Sequence, residues 1–314
     1  MAGVGLFTHM GVGKEVAWGT PIAATDYLAL LSESLVNEIE QVMEPELRDI
    51  ADEPPQYEGL HSVKGDISIL CKPIGIGFLL RSALGAPVSG AGPPYDHTFT
   101  PVNADFSTTC ALPPYTIEVD RDVATAYQFA GCVVNDLEIS FSTKSKLLIA
   151  KASILGKSVV LIAPTAVSHE ATDPFKWLEA TFTLGGGAIT TLEEFSMKVS
   201  NNLEGVESLN ATELYSRIQR NGFRTFEFNL TFPVLDTTEY TRFEAQGEAA
   251  FVTTITKDAS NMLTITTNKL RYIAYPLGVS GPERMTVGIS AKAKYDSVLG
   301  AGVQVVLRNT KATY

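Results

Sequence analysis

The chain of 314 residues contains no long hydrophobic run and no cationic leader. No stretch of about 18 apolar residues is free of charge, so no membrane span is expected. The first residues do not contain a cationic segment followed by an apolar stretch and a cleavage site, so no secretory signal is expected either. Hydrophobic residues still make up 45% of the chain, which is enough to bury one large core or two ordinary ones. We therefore expect a folded protein that is synthesised in a cytoplasm.

Cysteine and histidine are too few and too scattered to form the usual disulfide or metal sites. The three cysteines are far apart, odd in number and surrounded by apolar residues, which favours reduced thiols over a disulfide framework. None of the four histidines lies at a metal-ligand spacing from another histidine, a cysteine or an acidic pair. We expect no metal site and no cofactor. The residues concerned are Cys71, Cys110, Cys132, His9, His61, His97 and His169.

The sequence carries no recognisable catalytic motif. It has no Gly-x-Ser-x-Gly nucleophile motif and no paired carboxylates that stand out from the general acidity. Gly11-Val12-Gly13-Lys14 resembles part of a phosphate-binding loop, but Glu15 occupies the position where Ser or Thr would bind magnesium. These absences argue against an enzyme and favour a protein that works through its shape and its contacts.

Basic residues are fewer than acidic ones. The chain has 24 Lys and Arg residues and 35 Asp and Glu residues, so its net charge is −11. Tight binding to nucleic acid phosphates normally needs a basic face. The acid excess therefore argues against a nucleic-acid-binding protein, although it would suit a surface that nucleic acid passes without sticking.

Alternation of apolar and polar residues is the strongest positive signal. Residues 136–142 read Asp-Leu-Glu-Ile-Ser-Phe-Ser, which has the two-residue period of a half-buried strand. Residues 143–146 supply a polar turn and residues 147–154 alternate again, so the segment predicts an amphipathic β-hairpin. A similar pattern returns at residues 268–275 and 284–293.

The order of the predicted elements is repeated as well. Each half begins with a strand, a long loop and a second strand. A proline, a short helix that ends at a glycine, and further strands follow, and the hairpin comes last. The long loops are residues 43–59 and 203–222, and the prolines are Pro73 and Pro233. The helices are predicted over residues 74–84 and between the capping residue Asp236 and Gly247.

We therefore predict a mainly β (α+β) fold with two similar β-sandwich or barrel units, each with a flanking short helix, that arose by internal duplication. The predicted domains are an N-terminal arm at residues 1–26, a first unit at 27–184, and a second unit at 190–314 that includes a C-terminal arm. Gly185-Gly186-Gly187 marks the boundary between the units.

Residues 11–21, followed by Tyr27 and Ser32-Glu33-Ser34, resemble the opening of the tail tube proteins of long-tailed siphophages, also called major tail proteins. Residues 65–67, which lead to Pro73 and to the helix that ends at Leu84-Gly85, are similar to the strand and helix of that family. Residues 129–137 are similar to a further segment of it. The resemblance covers most of the first half, and the second half matches by pattern alone.

The resemblance implies a structural virion protein of the viral tail, assembled in the host cytoplasm, whose stacked rings form a hollow tube that conducts DNA during ejection. Family members with one unit form rings of six subunits. A duplicated chain could form an equivalent ring from three subunits with pseudo-sixfold symmetry, and a hexamer of the whole chain is the alternative. The implied partners are further copies of the chain, the tape measure protein, the tail terminator and tip proteins, and genomic DNA that passes without specific binding. No membrane is implied.

The two long loops are candidates for contacts between stacked rings, because loops of more than about 12 residues are uncommon without a function. The first loop is strongly acidic and the second carries arginines. We hypothesise that the first loop of one ring meets the second loop of its neighbour. The candidate ring-stacking residues are Glu44, Glu46, Asp49, Asp52, Glu53, Arg217, Arg220 and Arg224.

Acidic residues on polar strand faces are candidates for lining a lumen of negative potential, which would repel DNA phosphates. The candidate lumen-facing residues are Glu38, Glu40, Asp136, Glu138 and Glu227. The alternative is that these side chains are solvated on the outer surface.

A carbohydrate- or receptor-binding β module of a virion is the competing function. Clustered exposed aromatic residues would support it. Trp18 and Trp177 are isolated, however, and most Phe and Tyr residues fall on predicted core faces.

Overall fold

The computed structural model describes residues 3–49, 51–103, 110, 112–209, 212–279 and 281–314. These residues form 21 β-strands and two short α-helices, so the predicted mainly β fold is confirmed. No helix in the described ranges is long and apolar enough to cross a membrane.

The strands of the first half are β1 (His9–Lys14), β2 (Asp26–Leu28), β3 (Leu30–Glu33), β4 (Val36–Val42), β5 (Tyr57–Leu70), β6 (Val88–Ser89), β7 (Tyr95–Phe99), β8 (Tyr115–Asp120), β9 (Ala126–Ser142), β10 (Ile149–Gly156) and β11 (Ser158–Ile162). Those of the second half are β12 (Ala180–Leu184), β13 (Gly187–Ile189), β14 (Glu194–Ser200), β15 (Leu203–Val206), β16 (Arg217–Arg220), β17 (Thr225–Pro233), β18 (Ala249–Asp258), β19 (Asn261–Ala274), β20 (Thr286–Ala293) and β21 (Gln304–Asn309). The helices are α1 (Gly75–Leu84) and α2 (Thr238–Ala245).

Two sets of four strands have the same order in the two halves. In the first half β3, β5, β10 and β9 are successive neighbours, and all pairs are antiparallel. In the second half β14, β17, β20 and β19 follow the same order. Because β9 also pairs with β14, the two sets form one continuous eight-stranded sheet. The repeated element order of the sequence thus has a counterpart in a repeated strand order.

The longest strands of the two sets extend beyond this sheet. The first part of β9 belongs to a second sheet with the order β2-β1-β8-β9-β11. The first part of β19 pairs with β18 along one edge and with β21 along the other. Beyond them, β12 pairs with β18. Strand β7 of the first half pairs with β21 of the second, so strands of the two halves are interleaved.

One hydrophobic core lies behind the eight-stranded sheet. The strands alternate between buried and partly exposed side chains, as the two-residue period predicts. Helix α1 is buried along its whole length and contacts β9, β2 and β7. Most buried apolar residues of both halves belong to one contiguous cluster, so the two strand sets share their core. Leu112, Val133 and Ile218 form a second, small cluster.

Helix α1 begins and ends where the sequence predicts. Pro73 precedes its first turn, and Gly85 follows its last residue with a φ of 120°. That backbone conformation disfavours any residue with a Cβ, and a Cβ at Gly85 would also overlap the Val102 side chain. The turn chemistry of Pro73 and Gly85 therefore fixes the helix.

The N-terminal segment differs from the predicted arm. Its residues 9–14 form β1, which is buried between β2 and β8. The glycines that suggested an irregular segment permit this close packing, because a Cβ at Gly11 would lie 2.5 Å from the Ala24 Cβ. Residues 9–13 are therefore part of the core, whereas residues 3–7 and 20–23 of the segment are exposed.

The boundary between the predicted units also differs in detail. Strand β12, which the sequence places in the first unit, pairs with β18 of the second. Gly185 and Gly186 have φ values of 60° and 83° and form the tight turn between β12 and β13. The glycine run is therefore the turn of a hairpin that pairs with a strand of the second half.

Candidate assembly interface

The junction between the two strand sets is the pairing of β9 with β14. Seven residue pairs are in register, from Glu194 opposite Ser142 to Ser200 opposite Asp136. The core side chains of the junction are buried and apolar, and the pair Met197 and Ile139 is fully buried. This combination of a hydrogen-bonded ladder and a continuous core makes the junction a strong interface inside one chain.

The two ends of the eight-stranded sheet are open edges in the sense that no described strand pairs with them, although α2 packs against β19 beside one of them. Within the described part of the chain, β3 pairs with β5 alone. At the other end, β18 covers β19 only as far as Leu270, so residues 271–274 pair with β20 alone. By strand order, β3 corresponds to β14 and β19 corresponds to β9. The two open edges therefore repeat the two partners of the junction.

A row of alternating charges crosses the polar face of this sheet, which is the face opposite the core. Each residue of the row lies opposite the next on the neighbouring strand. In order from β10 to β20 the row consists of Lys151, Glu138, Lys198, Glu227 and Lys292. The Lys292 Nζ lies 2.9 Å from Glu227 Oε1. The polar face therefore carries charges of both signs at this level, and Lys292, which lies between Glu227 and Arg271, forms an ion pair with Glu227.

The structure brings together three of the five candidate lumen-facing residues. Asp136, Glu138 and Glu227 lie on the polar face, where Asp136 accepts a hydrogen bond from the Ser200 hydroxyl. Glu38 and Glu40 lie instead on β4, in the hairpin that β4 forms with the first part of β5. The two groups of acids therefore occupy different parts of the molecule.

The two long loops project from the same end of the sheet. The first connects β4 to β5, and the second connects β15 to β16. The five acidic candidates of the first loop, Glu44, Glu46, Asp49, Asp52 and Glu53, are all exposed. Among them Glu46 forms an ion pair with Arg48.

The three candidate arginines differ in their surroundings. Arg217 is exposed on β16. Arg220 is half-buried, and its Nε donates to the Asn201 carbonyl oxygen at 3.1 Å. The Arg224 guanidinium donates to the Val102 carbonyl oxygen at 3.0 Å and packs on the Phe226 ring, and burial lowers the pKa of Arg224 to about 10. Arg220 and Arg224 thus have structural contacts within their own chain.

The bases of the two loops touch each other. The His61 backbone N–H donates to the Glu213 carbonyl oxygen at 2.7 Å, and His61 Nε2 lies 2.6 Å from Glu58 Oε1 and 3.6 Å from Glu213 Oε2. Among the described residues, ligand atoms of this triad lie within 4.8 Å of one another and could hold a metal ion. Sequence reasoning missed the triad because Glu213 is remote from His61 in the chain.

An apolar groove of about 360 Å³ opens at the opposite end of the sheet from the loops. It lies beside the junction and is lined chiefly by Phe141, Trp177, Leu178, Phe182, Ile189 and Phe195. The groove was not predicted, because its walls come from β9, β12, β13 and β14. A cluster of apolar positions on separate strands leaves no local signal in the sequence.

The cysteines are poorly suited to chemistry. Burial raises the pKa of the Cys110 thiol to about 12 and raises the pKa values of Cys71 and Cys132 as well. The thiolate is the reactive form of cysteine, so all three side chains are held in the unreactive state. The reduced core thiols expected from the sequence fit this arrangement.

Comparison with known proteins gives one family. No individual curated protein matches the chain. A family model described as phage tail tube protein matches residues 7–293, which is nearly the whole chain. The chain therefore belongs to the phage tail tube protein family, a family of structural proteins of the virion tail.

Proposed function

We propose that three copies of the chain form a closed ring and that the rings stack into the tube through which DNA leaves the capsid. The β9–β14 junction is the observation that carries this proposal, because it joins two equivalent strand sets edge to edge. If β3 of one copy pairs with residues 271–274 of the next in the same way, each chain occupies two of six near-equivalent positions. The ring then has pseudo-sixfold symmetry.

Ring closure would also remove a hazard. Open β-edges present unpaired N–H and C=O groups that can recruit other strands in an uncontrolled way. In the ring, the edges of β3 and β19 satisfy each other, and the eight-stranded sheets of three copies surround a lumen. A heterologous interface of this kind closes when the rotation between copies is a simple fraction of a turn.

The polar face of the sheet is our proposed wall of the lumen. Its lysines alternate with Glu138 and Glu227, so each lysine has a carboxylate opposite it. A carboxylate on the neighbouring strand weakens the attraction of a lysine for a DNA phosphate, because strong binding requires a free cation that releases counterions. The face would therefore let a polyanion pass, and Asp136 adds negative charge beside the row.

In this proposal the tube assembles from soluble subunits in the host cytoplasm and becomes part of a siphophage virion. A tape measure protein, a tail terminator and tip proteins would limit the length of the tube. A hexamer of whole chains, with only one strand set per chain in the wall, is the alternative arrangement.

The experiment compares two exposed apolar residues on edge strands. Leu31 is the extra residue of a bulge in β3, and Val88 lies on β6, which forms the edge beyond β7. Inserted lysines oppose edge-to-edge pairing. We expect Leu31→Lys to remain a monomer and Val88→Lys to assemble like the native chain, as measured by light scattering after gel filtration and by electron microscopy.

Native mass spectrometry of rings then gives the number of subunits. Three subunits support the pseudo-sixfold ring, whereas six subunits favour the hexamer. Normal tubes from Leu31→Lys would contradict ring closure through β3.

A further inference from the structure

We propose that the apolar groove beside the junction receives the acidic loop of a second copy of the chain, with Leu47 of that loop inserted between the aromatic side chains. This inference rests on the proposed stack of rings, and it names the surface on which each ring holds the next. The occupant is the part of the first loop around Leu47, residues 43–49, of a chain in the neighbouring ring.

The position of the groove relative to the loop is the first argument. Strand β9 ends at Ser142 and β14 begins at Glu194, and both residues line the groove. Strand β5 reaches this end of the sheet only at Leu70, which pairs with Ile149. The loop precedes β5 and therefore leaves the sheet at the opposite end. When copies stack head to tail along the strands, the loop end of one ring therefore meets the groove end of the next.

The loop presents an apolar group without intramolecular cover. Leu47 is wholly exposed, and Glu44, Glu46 and Asp49 lie within three residues of it in the sequence. Residues 43–56 contain five acidic residues and one basic residue, Arg48. An isolated leucine on such a loop gains free energy when a partner surface buries it.

The groove offers an apolar wall to the apolar side chain of the loop. Its volume of about 360 Å³ is within the range of pockets that bind small apolar groups, and its wall includes the aromatic residues Phe141, Trp177, Phe182 and Phe195. The Phe141 and Phe182 ring centroids are 5.9 Å apart, and Phe195 lies behind them. A branched apolar side chain such as Leu47 would pack against these rings.

The rim of the groove carries the opposite charge from the loop. Lys144 and Lys146 are exposed in the turn that follows β9, and Lys176 precedes Trp177 in the groove wall. The turn is fixed in place, because Thr143 N–H donates to the Glu193 carbonyl oxygen at 3.0 Å.

The two carboxylates in the groove lining already have partners. Glu193 forms an ion pair with Arg284, and Glu194 accepts a hydrogen bond from the Thr231 hydroxyl. Lys176 lies near the Asp173 carboxylate at 3.8 Å, so the two lysines of the turn are the principal cations that face an incoming loop. Opposite potentials on the two surfaces favour this orientation of the stack.

The insertion of the first loop into the groove differs from the hypothesis that the first loop of one ring meets the second loop of its neighbour. Because both loops project from one end of the sheet and touch each other in a single chain, a head-to-tail stack separates the loops of successive rings. Leu209 in the second loop is also wholly exposed. The second loop carries fewer acids, so the first loop is the better match for the lysine rim.

Cross-linking between two differently labelled chains tests the inference. One chain carries Leu47→Cys and the other carries Leu178→Cys, because Leu178 lines the groove and is largely exposed. Both carry Cys110→Ser to remove the half-buried native thiol. We expect a short bismaleimide to join the two chains in mixed tubes. The matched control replaces Leu47→Cys with Val88→Cys, another exposed apolar position, and should give little product.

A charge exchange provides a second measurement. We expect Lys144→Glu with Lys146→Glu to leave rings intact and to reduce tube length at least severalfold. Adding Glu44→Lys and Glu46→Lys to the same chain should restore the tube length. Tubes that form without the Leu47–Leu178 cross-link, or a charge exchange without effect, would overturn the groove assignment and leave the proposed function standing. If the native chain forms no rings or tubes at all, the proposed function itself fails.

Discussion

Phe195 and Phe141 lie directly opposite each other across the junction of the two repeated strand sets, with their ring centroids 5.7 Å apart. Phe195 is 2% exposed, although it belongs to the first strand of its set and would be an edge residue in an isolated unit. The contact shows that the second set depends on the first for part of its core. It also provides a measurable link between the two halves.

Phe195→Ala is expected to lower the free energy of unfolding by about 3–5 kcal/mol, because it removes a buried aromatic ring and leaves a cavity. Urea denaturation of the monomer measures this loss. Phe223 is 91% exposed, and Phe223→Ala should change stability by no more than about 0.5 kcal/mol. Equal effects of the two substitutions would show that the junction does not stabilise the chain.

Gly77 of α1 should not tolerate a side chain. A Cβ at this position would overlap the ring of Tyr314, which is buried against the helix and donates a hydrogen bond to the Ile74 carbonyl oxygen at 2.9 Å. Gly77→Ala is therefore expected to displace residues 310–314 from α1 and to lower the melting temperature, despite the better helix propensity of alanine.

Gly75→Ala is the matched control for Gly77→Ala. Its Cβ would lie 3.4 Å from the nearest heavy atom, a Leu28 methyl carbon, which is an ordinary contact distance. We expect Gly75→Ala to leave the melting temperature unchanged or to raise it slightly. Limited proteolysis of the C-terminal residues measures the displacement directly, and full protection in Gly77→Ala would contradict this prediction.

The ion pair between Asp96 and Arg308 links β7 of the first half to β21 of the second. The Arg308 Nε and Nη2 donate to the two Asp96 carboxylate oxygens at 2.7 and 2.9 Å, which lowers the pKa of Asp96 below its ordinary value. A carboxylate with a lowered pKa stabilises the folded state above the unfolded pKa of about 3.9, and this contribution is lost as the pH falls through the folded value.

Asp96→Asn should therefore reduce stability at pH 7 and have a smaller effect in strong acid. The Asp96 side chain is 45% exposed, so the expected loss is at most about 1 kcal/mol. Urea unfolding at neutral and acidic pH measures the difference between variant and native chain. Asp52→Asn in the exposed loop is the control, and a loss of stability that does not depend on pH would count against the ion pair.

Removing the carboxylates of the charge row should make the polar face bind DNA. Glu138→Gln with Glu227→Gln leaves Lys198 without an acidic partner on either neighbouring strand. We expect this variant to bind duplex DNA at about 50 mM salt and to release it at about 200 mM, because free lysines bind phosphate with counterion release.

A variant with the same change in net charge distinguishes position from overall charge. Asp52→Asn with Glu53→Gln alters the exposed loop instead of the polar face. Fluorescence anisotropy with labelled DNA should detect binding by the first variant alone. Similar binding by both variants would assign the effect to net charge.

The two arginines of β16 should respond differently to reversal. Arg220 donates to the Asn201 carbonyl oxygen, and Asn201 is itself fully buried, so Arg220→Glu is expected to destabilise the fold. Arg217 is exposed, and Arg217→Glu should change stability by no more than about 0.5 kcal/mol. Thermal unfolding of the two monomers measures this difference. If Arg217→Glu proved as unstable as Arg220→Glu, the structural role assigned to Arg220 would be wrong.

The sequence determined the local features of this protein. The alternation in residues 136–142 predicts which side chains of β9 face the core, because neighbouring residues of a strand point to opposite faces. Pro73 and Gly85 predict both ends of α1, since proline fixes φ where the helix begins and glycine adopts the positive φ with which it ends. The repeated order of these signals predicts two similar strand sets.

Only the tertiary structure decided how those elements meet. A two-residue period assigns a face to Glu138, but it does not reveal that Lys151 and Lys198 lie on either side of it, since strand neighbours are chosen by contacts between distant segments. For the same reason the sequence placed residues 9–14 in an arm, whereas the core buries them as β1. The junction of β9 with β14, the common end of the two loops and the groove opposite them depend on the packing of the whole chain.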